Sequence, residues 1–290
     1  MDTDDTDLMF GSHLSIAGGM HLALLEAERL NFSTVQVFTK NQQQWKCKPL
    51  DAPAIAQWKS HVKRLKFGHV VSHDSYLINL ATADMELRRK SVELFVEELR
   101  RCDVLGIPYL VTHPGAHMGQ GEDVGLKNVA AALDEVHATI PEATGVTTCL
   151  EITAGQGTSL GYKLEHLATI MERVKHPERL AVCLDTAHLF AAGYDFRGTK
   201  YVKFRKELDA TVGVKRVKVL HLNDSKKDLG SRVDRHEHIG HGTIGIEGFR
   251  PFVQDKAFKK VPKILETPKL KHESGRDWDE VNLETLMKLM

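Results

Sequence analysis

The sequence predicts an α/β fold, a single (β/α)8 TIM barrel, and three observations carry that prediction. Eight short apolar, β-rich runs alternate with eight stretches of helical periodicity along 290 residues. Strict alternation builds a parallel sheet with helices outside it, and eight units is the number that closes a barrel. No Pro/Gly/Ser-rich linker or low-complexity tract divides the units, so residues 8–290 read as one domain. Six successive strands, the third to the eighth, end on a residue able to ligate a metal. A doubly wound open sheet is the rival, but it more often shows a glycine-rich phosphate turn after its first strand, and no GxGxxG is present.

The elements follow in order. Residues 1–7, MDTDDTD, are acidic and polar, the opposite of a secretory signal, and read as a short disordered lead-in. The first strand, 8–12, leads to His13; a helical pattern follows Gly18-Gly19 through Leu30. The second strand, 34–38, opens into a polar loop at 40–46. A helix at 54–65 precedes the third strand, 69–72, which ends at His73. A long amphipathic helix spans 85–105 and stops at Gly106. The fourth strand, 109–112, ends at His113; after a helix at 124–140, the fifth, 146–150, ends at Glu151. A helix at 164–174 leads to the sixth strand, 180–184, ending at Asp185 with His188 three residues on. A helix at 201–212 leads to the seventh, 217–220, ending at His221. A short helix at 246–252, the eighth strand at 261–265 ending at Glu266, and a helix at 278–290 close the chain.

Composition sets bounds. Lys+Arg and Asp+Glu balance at 39 each, so overall charge gives no hint of nucleic acid. A polyanion would have to meet a local basic patch or bound metal. No apolar run reaches the ~18 residues of a membrane helix. The four cysteines form no CxxC pair, and Cys149 and Cys183 lie in strand-like runs. Buried, reduced thiols are the expectation, which favours a reducing compartment. A bacterial-type cytoplasmic location is expected, or a nuclear or organellar one in a eukaryote.

The strand-end residues His73, His113, Glu151, Asp185, His221 and Glu266 would converge on one mouth of a closed barrel. A lone histidine at a strand end is more often an ordinary polar residue; six residues of ligand type in succession do not read that way. The stretch 217–242 adds an Asp-x-His loop, Asp234 and His236, and His188 brings the set to nine. One zinc takes three or four protein ligands. Nine, with one carboxylate bridging, fit three ions with open positions. Nitrogen and oxygen donors without thiolate point to zinc or manganese. A cluster with room for water suits hydrolysis of a phosphate ester.

Several longer motifs carry a resemblance. HDSYLIN at 73–79, His113-Pro114-Gly115, CLDTAH at 183–188 with AAGYD at 191–195, HLNDSK at 221–226, GSRVDRH at 230–236 and Leu265-Glu266-Thr267 are similar to signatures of the endonuclease IV family, also called AP endonuclease family 2. The run from Glu151 to Gly157 matches too, with Ile152 where Asn is usual. The resemblance covers nearly the whole chain after residue 7. It implies a barrel with three metal ions, usually Zn2+, with Mn2+ possible at one or more positions. It also implies a base-excision-repair endonuclease that hydrolyses the phosphodiester 5′ to abasic sites, leaving a 3′-hydroxyl and a 5′-deoxyribose phosphate, and that cleans blocked 3′ ends. Carried over by motif, His73, His113 and Glu151 would hold one metal. Glu151 would bridge to a second, held also by Asp185, His221 and Glu266. His188, Asp234 and His236 would hold the third. Glu151 is then the catalytic carboxylate, orienting or deprotonating the attacking water.

The expected partner is double-stranded DNA containing abasic sites or blocked 3′ ends, bound by a monomer with no obligate protein partner and no membrane. The abasic nucleotide would be turned out of bent DNA, which costs less than extruding a paired base. The loop 41–45, with Gln42 and Gln43, and the pair Tyr76-Leu77 resemble the family's groove-inserting loops. Some relatives carry Arg at the place of Gln43, whose amide lacks the stacking and phosphate-pairing guanidinium. Arg232, with Lys40, Lys46, Lys226, Lys227 and Arg235, is a candidate phosphate contact near the mouth. Trp45 is expected to pack under its loop. His13 and His117 are candidates for a supporting role; His61, His69, His137, His166 and His176 read as surface or scaffold. Two rival readings stand beside the endonuclease. A sugar isomerase of related barrel form needs no third metal site, and a non-catalytic abasic-DNA binding protein needs no hydrolytic cluster.

Overall fold

The computed structural model describes residues 8–67, 69–143 and 145–290; the lead-in expected at 1–7 lies outside them. Eight parallel strands form the barrel wall: β1 (Phe10–Ser12), β2 (Gln36–Val37), β3 (Val71–His73), β4 (Tyr109–Thr112), β5 (Thr147–Glu151), β6 (Leu180–Asp185), β7 (Val217–His221) and β10 (Lys263–Leu265). Hydrogen bonding runs β1-β10-β7-β6-β5-β4-β3-β2. A parallel bridge between His13 and Gln36, with Leu14 N donating to Gln36 O at 2.9 Å, joins the two ends of the row. The barrel expectation therefore holds.

Burial on both faces explains the apolar runs. All six residues of β6 are buried, as parallel strands beneath helices require. Inside the barrel, Val71, Val111, Cys149, Ala181, Cys183, Val219 and Ile264 form one packed layer. A larger apolar layer fills the space between strands and outer helices, with Leu24, Phe95, Leu133, Leu167 and Phe252 among its fully buried members. The outer helices are α1 (Met20–Arg29), α2 (Ala52–Leu65), α3 (Met85–Leu105), α4 (Glu122–Thr139), α5 (Leu164–Arg173), α7 (Lys200–Thr211), α8 (Arg250–Gln254) and α9 (Trp278–Met287). α3 ends as expected at Gly106, whose φ of 71° is the left-handed turn that glycine adopts freely.

Three local departures matter for the site. A helix not anticipated from the pattern, α6 (Thr186–Ala192), follows β6 directly. Asp185 caps it, accepting from His188 N at 2.8 Å. Six of its seven residues are buried, so it has no amphipathic face to read. A small antiparallel hairpin, β8 (Asp224–Ser225) with β9 (His236–Glu237), carries the Asp-x-His segment back over the mouth. The helix expected at 246–252 is split at Phe249 into a 3-10 turn, Ile246–Gly248, and α8.

Candidate metal centre

The C-terminal ends of β3 to β7 and β10 bring the strand-end side chains together. Glu151, fully buried, lies at the middle. His73 Nε2 and His113 Nε2 each lie 3.3 Å from its Oε2; His188 Nδ1 and His221 Nδ1 each lie 3.1 Å from its Oε1. On one side, His221 Nδ1 is 3.2 Å from Glu266 Oε2 and 3.8 Å from Asp185 Oδ2. On the other, His188 Nε2 is 3.1 Å from Asp234 Oδ2, and His236 Nε2 is 3.3 Å from Asp234 Oδ1 and 3.7 Å from Asp185 Oδ2. All nine residues singled out in the sequence thus meet.

Their donor atoms fall into overlapping groups. His73, His113 and Glu151 form one, and Glu151, Asp185, His221 and Glu266 a second, each with ligand atoms within 4.8 Å of one another. Asp185, His188 and His236 form a third, beside Asp234. Asp185 stands between the second and third. Cys183 also lies within that reach of Glu151 and His221, where the sequence suggested only a buried thiol.

The chemistry of these donors fits metal ions. His73 Nδ1 donates to Asp74 O at 2.9 Å, His188 Nδ1 to Ile152 O at 3.0 Å, His236 Nδ1 to Glu266 O at 3.2 Å, and His221 Nε2 to Gln36 Oε1 at 2.8 Å. With that nitrogen carrying the proton, the other presents its lone pair to the cluster, as a metal-ligating histidine does. His188 Nε2 and His236 Nε2 lie 3.5 Å apart beside Asp234, close enough for a proton or a metal ion to be shared between them. Charge tells the same story. Burial by itself would raise Glu151 and Glu266, but the facing histidines hold both carboxylates well below their ordinary range. Burial likewise opposes a charge on His73, yet Glu151, Asp74 and Glu266 bring it up to about 9, so a metal ion would take the place of a proton on its Nε2. Asp234 is held at about 2 against its burial by His188 and His236. A largely buried pocket with this much anionic oxygen calls for compensating positive charge, which protonated histidines or bound cations can supply.

A ring of supporting residues was not read from the sequence. Asn223 Nδ2 donates to Asp185 Oδ2 at 2.7 Å, and its Oδ1 accepts from Glu266 N at 2.7 Å. Gln36 reaches both His221 and Glu266. His13, one of the candidates for support, has Nδ1 3.3 Å from Glu266 Oε1. His117 instead accepts from Gly121 N at 3.1 Å, bracing the start of α4. His137 and His166 are buried scaffold, as expected.

Beside the centre, a cavity of about 250 Å³ is lined by Tyr76, Asn79, His113, Gln156, His188 and Asp234, among others. Tyr76 is 63% exposed above His73, with ring centres 5.5 Å apart; Leu77 is half-buried. Ser75 Oγ donates to Gln42 O at 2.5 Å and so ties the Tyr76 loop to the loop of Gln42 and Gln43, of which Gln43 is exposed. Arg232 sits apart from these, its guanidinium 3.7 Å above the Tyr162 ring. Trp45 packs against the apolar layer, as expected. Lys40 is a correction to the basic set: it is buried, 3.9 Å from Glu98, and turned away from any phosphate. Arg101 was not anticipated. Its guanidinium donates to Thr39 O at 3.1 and 2.5 Å and to Lys48 O at 3.1 Å, so one α3 side chain ties both ends of the loop bearing Gln42 and Gln43.

Fold and site together define a TIM barrel whose mouth carries a donor set able to hold metal ions. The family model for the xylose isomerase-like TIM barrel matches residues 24–287. A protein of Chloroflexus aggregans named "Probable endonuclease 4" is 50% identical over 286 residues, 97% of each chain. Its namesake in Geobacter sulfurreducens is 47% identical over 281 residues, 97% of this chain and 94% of the other. The crystal structure of endonuclease IV from Thermus thermophilus superposes with a TM-score of 0.85 at 34% identity, covering 97% of this chain and 98% of the other. The chain belongs to the endonuclease IV family, a family of DNA-repair hydrolases. A D-tagatose 3-epimerase-like protein shares the fold, with a TM-score of 0.73 at 19% identity.

Proposed function

We propose that this chain is a metal-dependent DNA-repair endonuclease that hydrolyses the phosphodiester 5′ to an abasic site, leaving a 3′-hydroxyl and a 5′-deoxyribose phosphate, and that also clears blocked 3′ ends. The observation that carries this reading is one buried carboxylate, Glu151, approached by four histidines at 3.1–3.3 Å with Asp185, Asp234 and Glu266 around them. A sugar isomerase has no need of the further His188, Asp234 and His236 group. A binding-only protein has no need of the cluster.

His73, His113 and Glu151 would hold one ion, Glu151 with Asp185, His221 and Glu266 a second, and His188, Asp234 and His236 a third; zinc suits all three and manganese one or more. Bound there, divalent ions supply positive charge to the phosphoryl and leaving oxygens and acidify water. Glu151 would orient or deprotonate the attacking water. The barrel floor beneath it, Val111, Cys149, Cys183 and Val219, is fully buried and keeps bulk water from the site's inner side. Tyr76, Leu77, Gln42 and Gln43 stand at the rim where DNA would be entered, and Arg232 would meet a phosphate. The chain would act as a monomer in the cytoplasm, on double-stranded DNA.

The test is a duplex carrying one tetrahydrofuran abasic-site analogue, incubated with zinc-loaded protein. Expected is a single cut 5′ to the analogue, with a 3′ end that a DNA polymerase extends directly. An intact duplex, or a 3′ end that polymerase cannot extend, contradicts the proposal.

A further inference from the structure

Six of the eight strands end on a candidate ligand; β1 and β2 do not, and they join the site in another way. Gln36, on β2, is fully buried beneath the cluster. Its amide spans two ligands of the same group. His221 Nε2 donates to Gln36 Oε1 at 2.8 Å, and Gln36 Nε2 donates to Glu266 Oε1 at 2.6 Å. Gln36 Nε2 also lies 2.9 Å from His13 Nδ1, so the residue after β1 packs against the same amide. The orientation is forced by chemistry: turned over, the amide oxygen would face a carboxylate oxygen at 2.6 Å. The Gln amide carries an uncharged acceptor and donor side by side on one rigid plane. Asn is a methylene too short to reach both partners from this strand.

We propose that Gln36 is a positioning residue for the metal held by Glu151, Asp185, His221 and Glu266. By accepting from Nε2 it fixes the His221 tautomer whose Nδ1 lone pair faces the carboxylates. By tying down Glu266 Oε1 it leaves Oε2, 3.2 Å from His221 Nδ1, to complete the group. Gln36 touches neither substrate nor metal; it acts through two ligands at once. The inference rests on the metal-dependent reading above.

The test reads metal retention. Wild type, Gln36→Leu and Gln36→Glu are loaded with zinc and equilibrated in buffers of graded free zinc, and bound metal is counted by mass spectrometry. Losing such an outer partner typically weakens metal affinity by about 10- to 100-fold. Gln36→Leu, which can neither donate nor accept, should therefore release one metal per chain at a free zinc concentration about 10- to 100-fold higher than wild type does. Gln36→Glu keeps the acceptor for His221 but sets an oxygen in place of the donor 2.6 Å from Glu266 Oε1, so it too should release that metal at a free zinc concentration about tenfold or more above wild type. Circular dichroism verifies the fold. If Gln36→Leu does not fold, the near-isosteric Gln36→Glu decides alone. Variants that follow the wild-type curve overturn the inference while leaving the metal reading intact. A wild-type chain that binds no zinc overturns the reading itself, and the inference with it.

Discussion

Replacing Glu151 by Gln changes little in shape and a great deal in charge. The carboxylate is fully buried, and nitrogens of His73, His113, His188 and His221 approach it at 3.1–3.3 Å. Burial alone would push its pKa up; His221 and His113 outweigh that and keep it ionised. Removing one partner from a buried charge cluster costs about 3–5 kcal/mol. At ~1.4 kcal/mol per tenfold, that is a loss of about 10²–10⁴ in metal affinity. Saturating zinc restores occupancy but not the base: a positioned general base contributes about 10²–10⁴ in rate. Single-turnover cleavage of an abasic duplex by Glu151→Gln, measured over a zinc titration, should therefore need far more zinc and still plateau at least about 100-fold below wild type. A plateau within about tenfold of wild type would refute the role assigned to Glu151.

Three further outcomes follow from other parts of the molecule. Arg101→Met removes the bonds to Thr39 O and Lys48 O, so the loop of Gln42 and Gln43 loosens. Losing ~1.5 kcal/mol of loop ordering should raise KM for abasic DNA about tenfold, with kcat and metal content unchanged; an unchanged KM contradicts the clamp. Gln43→Arg adds a cation at an exposed site, and KM should fall while log affinity against log salt steepens by about 1. A slope equal to wild type argues that Gln43 stands away from phosphate. Lys263 is buried, donating to Phe258 O at 2.6 Å and Val261 O at 3.0 Å, and burial pushes its pKa down to about 7. Below that pH the ammonium is charged in folded and unfolded chains alike, and the folded state bears the full desolvation penalty. Between about 7 and the ordinary lysine value near ~10.4 only the unfolded chain keeps the proton, so that penalty is progressively lifted. Wild type should gain stability relative to Lys263→Met as pH rises through that window, seen by chemical denaturation; a pH-independent difference would show that Lys263 carries no such penalty.

What the sequence made legible has a physical pattern. A barrel strand end is a place where one residue decides chemistry, so His73, His113, Glu151, Asp185, His221 and Glu266 announced themselves by type and position. Asp234 and His236 needed their motif, because the two-residue strands β8 and β9 are too short and polar for any alternation. α6 was hidden by its burial on all sides. Gln36 escaped because it is an uncharged residue inside an apolar run; the usable signal was a polar side chain in a strand buried on both faces. Lys40 read as a phosphate contact, and Glu98 and Arg101 went unread. The contacts of Lys40 and Thr39 with Glu98, and of Arg101 with Thr39, depend on a loop folding over α3, which no local pattern encodes. The residues proposed to face DNA are the least legible, since exposure at a rim leaves type and spacing unconstrained.

The central claim is that nine side chains form one hydrolytic metal cluster. The most direct measurement counts metals per chain and initial cleavage rate of an abasic duplex in the same samples, as zinc is titrated into stripped protein. The account predicts that cutting 5′ to the lesion appears only as occupancy approaches about three, and that it is lost when metal is withdrawn. Full cleavage at one metal or none, or three bound metals without cleavage, would contradict it.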